Sequence, residues 1–166
     1  MTGLHRLGLA CAVLVIVLDQ ISKPLMRGWL AACDIYVTPF FNLVSAWNQG
    51  VGFSLMTMRG ASGPYVLSAV ALLISIGLFV WMLRSHRVLP VIGLGLAIGG
   101  ALGNVIDRLR HGAVFDFLQF HAAGYYFPAF NLADSALTIG VGLLVIDGLF
   151  EGRGRSKTPA TPEGQS

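Results

Sequence analysis

Two aspartates in apolar surroundings are the residues of this sequence best suited to acid–base chemistry. Asp116 stands between two phenylalanines and Asp134 follows an alanine, and neither has a basic residue within four positions. When two such carboxyls share a site, desolvation and like-charge repulsion raise the pKa of one, so that one is protonated and the other ionised near neutral pH. The ionised group can deprotonate a water that attacks an amide carbonyl, while the protonated group donates to the carbonyl oxygen. The pattern favours amide hydrolysis, with the two roles unassigned because a coupled pair titrates as a unit.

Nucleophilic and metal-dependent hydrolysis fit the sequence less well. Ser22 and Lys23 are adjacent, and adjacent residues on a helix do not face each other, which argues against a serine–lysine dyad. His111 and His121 lack the four-residue spacing of a helical zinc pair, so we expect no metal site.

Two pairs of opposite charge accompany the aspartates. Asp19 and Lys23 are four residues apart with the acid first, which is the favourable order for an ion pair on one helical face. Such a pair suits a structural role and a substrate contact equally well. Asp107 directly precedes Arg108, and we interpret these two as a structural salt bridge.

The composition indicates that a membrane protein positions these groups. The chain has 166 residues, of which 55% are hydrophobic and 11% charged, and its mean hydropathy is +0.72. Soluble domains carry about 25% charged residues, so a water-soluble globular protein is excluded. Disorder is excluded because the chain has ample apolar surface to bury. The formal net charge of +3 is too small and too scattered for nucleic-acid binding.

Four apolar segments reach the length of about 20 residues that a bilayer crossing needs; they are residues 7–26, 65–83, 88–106 and 127–150. The segments 27–64 and 107–126 then lie outside the membrane. Residues 36–44 are β-branched and aromatic without a helical repeat, which predicts short strands. Residues 1–151 are predicted to form one membrane domain, and the polar residues 152–166 a disordered cytoplasmic tail.

Small residues suggest how the helices pack. Gly95, Gly99 and Gly103 recur every four residues, a spacing that lets two helices approach closely. The neighbouring stripe of Gly100, Asn104, Asp107 and Arg108 becomes polar toward one end, which suits a helix that lines a site. We expect the first apolar segment to be retained, since no small-x-small cleavage site follows it.

The polar residues converge on one side of the membrane. Four spans place both termini on one side of the membrane. That side carries six Lys and Arg residues and the other side carries five. Because those six lie in the terminal tails and a tight turn, the termini are predicted to be cytoplasmic. Asp19, Asp107, Asp116 and Asp134 then fall near the outer face. An ionisable group at the bilayer centre costs at least about 2.5–3.5 kcal/mol, so each is a functional hypothesis. Asp147, at the opposite end, is interpreted as part of a solvated helix end.

Five blocks of sequence, in order, resemble the signature blocks of the bacterial lipoprotein signal peptidase family, also called signal peptidase II. These blocks are residues 19–23, 48–54, 99–108, 114–117 and 127–135. In the second block the family often has tyrosine before the asparagine and small residues after the glycine. This chain has Trp47, Gln49 and Val51-Gly52 at those places, a departure that concerns how the substrate is held and not the chemistry.

The resemblance implies an all-α integral membrane protein with four transmembrane helices and a small extracytoplasmic β-cradle. It implies an aspartic endopeptidase of the bacterial inner membrane, with Asp116 and Asp134 as the catalytic pair near the outer face. The substrate would be a prolipoprotein whose cysteine already carries diacylglyceryl, cut just before that cysteine. No metal or organic cofactor is expected, membrane lipid is the other partner, and we expect a monomer. Ten residues are expected to bind substrate or support the site: Asp19, Lys23, Asn48, Gly50, Asn104, Asp107, Arg108, Phe130, Asn131 and Ala133.

A small ion or proton transporter is the alternative function, because intramembrane Asp and Asn side chains also bind ions or relay protons. The clustering of the carboxylates at one face argues against it. Asp147 is too remote from that cluster in sequence to continue a relay.

Overall fold

The computed structural model describes residues 3–50 and 62–155. Residues 51–61 of the predicted segment 27–64 lie outside the described residues, and so do residues 156–166 of the predicted disordered tail. Within the described part, four helices are long and apolar enough to cross a membrane: α1 (Gly3–Trp29), α2 (Gly63–Arg84), α3 (Val88–His111) and α4 (Leu132–Arg155). The prediction of a four-helix membrane protein is confirmed.

The helix α3 occupies the centre of the bundle and packs against the other three helices. Glycines on two of its faces allow this. A Cβ at Gly99 would lie 2.7 Å from the carbonyl oxygen of Ala12 in α1. On another face, a Cβ at Gly93 would lie 2.9 Å from the carbonyl oxygen of Gly140 in α4. Both separations are too short for a real Cβ, so the close approach predicted from the glycine spacing is confirmed toward α1 and extends to α4.

A small antiparallel sheet lies at the end of the bundle where α1 and α3 finish. Its strands pair in chain order and are β1 (Ile35–Thr38), β2 (Phe41–Asn48), β3 (Val114–Ala122) and β4 (Tyr125–Tyr126). The first two confirm the strands predicted for residues 36–44. The other two come from segment 107–126, for which the sequence pattern predicted no strands.

The fourth helix begins five residues later than predicted, at Leu132 instead of residue 127. The amide of Phe127 donates to the carbonyl oxygen of Phe120 at 2.8 Å, and that of Phe130 donates to Leu118 at 2.9 Å. Because these residues pair with β3, their apolar side chains belong to the edge of the sheet and not to a membrane span.

Helix α3 ends later than predicted, at His111 instead of residue 106. Gly112 closes it in the left-handed conformation, with φ of 69°, which glycine adopts without steric cost. Asp107 and Arg108 therefore lie on the helix and not in the segment that follows it. Helix α4 also continues past residue 152, where the tail was predicted to start, and ends at Arg155.

The interpretation of Asp147 as part of a solvated helix end is wrong. Its carboxyl is 8% exposed and forms a bidentate ion pair with Arg87, with oxygen–nitrogen distances of 2.7 and 2.8 Å. Arg87 directly precedes α3, so it comes from a different element than Asp147 in α4. The pair clamps two helices together at the end of the bundle opposite the sheet.

Candidate active site

Asp116 is the third residue of β3 and lies at an irregularity in the pairing with β2. Leu43 pairs with Leu118 and Ala46 pairs with Asp116, so β2 carries one more residue than β3 between these pairs. Such a bulge twists the strand locally and turns side chains toward a site. The Asp116 side chain is buried, with the residue 2% exposed.

Asp134 lies in the first turn of α4 and takes part in a reciprocal cap with Asn131. The Asn131 side-chain oxygen accepts from the Asp134 amide at 3.0 Å, and the Asp134 carboxylate accepts from the Asn131 amide at 3.2 Å. This is a capping box, in which two residues three apart satisfy free amides at a helix start. It fixes the Asp134 carboxyl near the positive end of the helix dipole.

Asn131 also joins the two aspartates. Its side-chain nitrogen donates to Asp116 Oδ1 at 2.7 Å, while its oxygen holds the Asp134 amide. Asn104, in α3, donates to Asp134 Oδ1 at 2.7 Å and accepts from Asn131 at 3.2 Å. Both aspartates are thus held from the side by two amides that are themselves bonded to each other.

Behind these amides, Lys23 forms the centre of a buried ion network. Its ammonium lies 2.8 Å from Asp19 and 2.8 Å from Asp107, and it donates to Asn104 Oδ1 at 3.3 Å. Asp19 in turn accepts from the Ala133 amide at 3.1 Å, at the start of α4. The network therefore ties α1 and α3 to the turn of α4 that carries Asp134.

The predicted salt bridge between Asp107 and Arg108 is wrong. Asp107 pairs with Lys23, whereas Arg108 donates to the carbonyl oxygen of Gly50 at 3.1 Å. Consecutive residues on a helix point in different directions, so the two side chains reach different neighbours.

On the sheet side, Asn48 completes the surroundings of Asp116. Its side-chain nitrogen donates to Asp116 Oδ2 at 3.2 Å, and its oxygen accepts from the Gly50 amide at 3.0 Å. Each oxygen of Asp116 therefore accepts from one asparagine.

The surroundings of Asp116 favour the protonated form of its carboxyl. Burial, and after it the charge of Asp134, raises the pKa of the Asp116 carboxyl to about 7. The hydrogen bonds from Asn48 and Asn131 and the charge of Lys23 act in the opposite direction and are outweighed. A carboxyl with a pKa near neutrality can hold or release a proton under physiological conditions, as an acid–base catalyst must.

A cavity of about 500 Å³ opens beside the aspartates. Its polar lining includes Asn48 and Asp134, and the aromatic rings of Phe120, Phe127 and Phe130 form much of the rest. Ile139, on the membrane-spanning helix α4, also lines the cavity and is 57% exposed, so the cavity reaches the bundle surface that faces lipid. An apolar chain can enter from that side and reach the carboxyl of Asp134.

All ten residues expected to support the site lie in this network or line the cavity, although the segments that carry them are far apart in sequence. Gln20 was missed. Its side chain donates to Asp19 at 3.1 Å and to Asp107 at 3.0 Å. It lies inside the first sequence block, directly after Asp19, and an uncharged residue there gave no signal of its own.

The chain is similar to proteins of known family along nearly its whole length. The family model described as signal peptidase (SPase) II, Peptidase_A8, matches residues 11–150. A protein named lipoprotein signal peptidase from Methylobacterium radiotolerans is 42% identical over 162 residues, which cover 93% of each chain. One of the same name from Rhodopseudomonas palustris is 42% identical over 87% of this chain and 92% of its own.

Two solved structures, both described as bacterial membrane enzymes, share the fold. The first has a TM-score of 0.76 at 29% identity and covers 93% of this chain and 94% of its own. The second has a TM-score of 0.69 at 32% identity, over 86% and 92%.

Proposed function

The chain belongs to the signal peptidase II family of aspartic peptidases, and from this premise we propose that Asp116 and Asp134 together hydrolyse the signal-peptide bond of a prolipoprotein. The family supplies the activity, which removes signal peptides from prolipoproteins. The choice of these two residues rests on one observation: Asn131 bridges them, with one end of its amide on Asp116 and the other on the backbone of Asp134.

The reaction needs one proton shared between the two carboxyls. The ionised carboxylate takes a proton from a water as the water oxygen attacks the scissile carbonyl carbon, and the protonated carboxyl gives its proton to the carbonyl oxygen. The tetrahedral intermediate then breaks at its carbon–nitrogen bond. The leaving nitrogen takes a proton from the first carboxyl while the second recovers its own, so the pair returns to its starting state.

We assign the resting proton to Asp116 and the role of base to Asp134. The pKa of Asp116 is raised to about 7 because its carboxyl is buried and lies near Asp134. Asp134 occupies the first turn of α4, where the helix dipole favours a negative charge. It also lines the cavity, so it is the one of the two that a water and a substrate reach first.

The substrate is a prolipoprotein that already carries a diacylglyceryl group on its cysteine, cut just before that cysteine. The aromatic cavity beside Asp134, open to the lipid-facing surface, supports this choice because it offers an apolar chain a path to the site. A lipid-anchored substrate is confined to the bilayer, so its scissile bond is presented at the level of the membrane surface.

The protein is a multi-pass bacterial membrane protein. We place it in the inner membrane with its termini in the cytoplasm. The proposed catalytic dyad, Asp116 and Asp134, then lies near the outer face. The side with the termini and the loop at residues 84–87 carries six Lys and Arg residues against five on the other side, which supports this orientation.

Substitution of either aspartate by asparagine tests the assignment. Asp116→Asn and Asp134→Asn should each reduce cleavage of a purified diacylglyceryl-modified prolipoprotein at least 10³-fold, because an amide cannot exchange the required proton. A gel-shift assay of the precursor measures the loss. Thermal unfolding in detergent should show both variants folded.

Asp34→Asn is the matched control. Asp34 is an exposed acid on the same side of the bundle, bonded to the Ser45 amide at 3.0 Å, and its variant should cleave at the wild-type rate. Wild-type cleavage by either dyad variant would overturn the assignment of that aspartate. If the Asp34 variant lost as much cleavage activity as the other two variants, the loss would come from a disturbed fold and not from the catalytic pair.

A further inference from the structure

A second cavity, of about 290 Å³, lies between the ends of α1 and α3. Its lining includes Arg27 from the last turn of α1, Arg110 and His111 from the last turn of α3, and Trp47 from β2. Among the described residues, it shares no lining residue with the cavity beside Asp134. It is therefore a separate site at the same end of the bundle.

Among the residues that the structure describes, the rim of this basic cavity carries positive charge without a matching carboxylate. Its floor holds Lys23 and Asp107, which are buried and paired with each other at 2.8 Å. Arg27 and Arg110 are exposed, and every salt bridge within the described part of the chain involves Lys23 or Arg87 instead. Arg110 donates only to a neutral acceptor, the Gln20 side-chain oxygen at 3.2 Å. Two guanidinium groups are thus available to an anion.

The surroundings of the rim face lipid. Leu25 and Trp29, on either side of Arg27 in sequence, are 55% and 68% exposed, and Leu109, next to Arg110, is 55% exposed. Within the cavity, the Trp47 ring contacts the His111 ring edge-on at a centroid distance of 5.5 Å. Arginines beside exposed apolar side chains and a tryptophan are typical of the level of a bilayer where headgroups meet acyl chains.

We propose that this basic cavity binds the phosphate of an anionic phospholipid, with Arg27 and Arg110 as the phosphate ligands and the acyl chains lying along the exposed apolar surface of α1. Arginine suits this role because its planar guanidinium pairs with two oxygens of a phosphate at once. Basic pockets between transmembrane helices bind anionic headgroups in this way. The test measures lipid binding and not cleavage, so its outcome does not depend on the proposed function.

Native mass spectrometry of the detergent-solubilised protein tests the proposal with phosphatidylglycerol, phosphatidylcholine and glycerol phosphate as probes. The wild type should retain one phosphatidylglycerol more tightly than phosphatidylcholine. The double variant Arg27→Gln/Arg110→Gln should bind phosphatidylglycerol about 30-fold more weakly, because two basic contacts to an anionic headgroup are lost. The matched control is Arg6→Gln/Arg84→Gln, which removes the same charge from exposed arginines at the other end of the bundle and should leave binding unchanged.

A second measurement places the lipid at this cavity. In a chain with Trp29→Phe and Trp81→Phe, brominated phosphatidylglycerol should quench Trp47 fluorescence, and added Arg27→Gln/Arg110→Gln should abolish the quenching. Equal loss of lipid in both arginine double variants would overturn the proposal, as would equal retention of the two lipids by the wild type. Binding of glycerol phosphate as tight as that of the lipid would also overturn it, by showing a site for a free phosphate.

Discussion

The carboxyl of Asp116 carries the proton on which the proposed reaction depends, so its titration predicts how activity varies with pH. Its pKa is raised to about 7 by burial and by the neighbouring Asp134, so the group is protonated below that pH and ionised above it. Proteolysis needs the proton. We therefore expect kcat/KM for a lipidated precursor to fall about tenfold per pH unit above an apparent pKa near 7.

A series of initial cleavage rates between pH 5 and pH 9, with substrate held well below KM, measures this decline in kcat/KM. Thermal unfolding at each pH serves as the control, because loss of folded protein would imitate loss of activity. An activity that stays level from pH 6 to pH 9 would contradict the assignment of the proton to Asp116.

At the residue scale, the sequence predicted which side chains come together better than it predicted how they pair. Asp116 and Asp134 stood out because each lies in an apolar stretch with no base nearby, a property that is local in sequence. The partner of Asp107 could not be identified in this way, because Lys23 comes from another helix. Only the packing of α1 on α3 brings the Lys23 ammonium to 2.8 Å from the Asp107 carboxylate. Sequence adjacency pointed to Arg108 instead, which points elsewhere on the helix.

At the scale of elements, the glycines of α3 determine how closely the bundle packs and hence whether the network around Lys23 can form. Gly99→Ala should destabilise the protein by about 1–3 kcal/mol, because the new Cβ would meet the backbone of Ala12, which cannot move aside alone. The measurement is thermal unfolding in detergent together with cleavage activity.

Gly77→Ala is the matched control for this substitution. Gly77 lies in α2, and a Cβ there has no neighbour within 4 Å. Alanine favours a helix over glycine, so this variant should be as stable as the wild type or slightly more stable. If Gly99→Ala were as stable as Gly77→Ala, close contact with α1 would not be a requirement of the fold.

The helices were predictable because length and hydropathy are sufficient to identify a membrane span. The residues at which the helices begin and end were less predictable. Phe127 and Phe130 are as apolar as residues of a span, and hydropathy does not distinguish a side chain that faces lipid from one on a strand edge. Pairing with β3, which depends on residues seven or more positions away, decides the matter. The segment that forms β3 gave no helical or strand repeat strong enough to be predicted.

At the scale of the whole molecule, the two ends of the bundle carry different buried charge networks. The proposed dyad and its network lie at the sheet end. The ion pair of Arg87 and Asp147 lies at the other end and holds α3 to α4.

Arg87→Met should lower the unfolding temperature, because the buried Asp147 carboxyl would lose its cation. We expect the free energy of unfolding to fall by about 3 kcal/mol or less, since Arg87 is half exposed. The kcat of the folded fraction should not change.

The double variant Arg87→Met/Asp147→Leu should recover most of the lost stability, since it removes both charges from the buried position. Thermal unfolding of the two single variants and the double variant measures the coupling between the residues. Additive losses would show that the two side chains do not act as a pair.

One small group, the side-chain amide of Asn131, makes the proposed chemistry depend on correct insertion of the last helix. The amide starts α4 and also holds Asp116, so a chain that began this helix one residue early or late would lose the cap and the bridge between the aspartates together. A partly inserted or misregistered copy therefore lacks the arrangement needed to cut peptide bonds. In the proposed mechanism, formation of the last helix and assembly of the catalytic pair are therefore a single event.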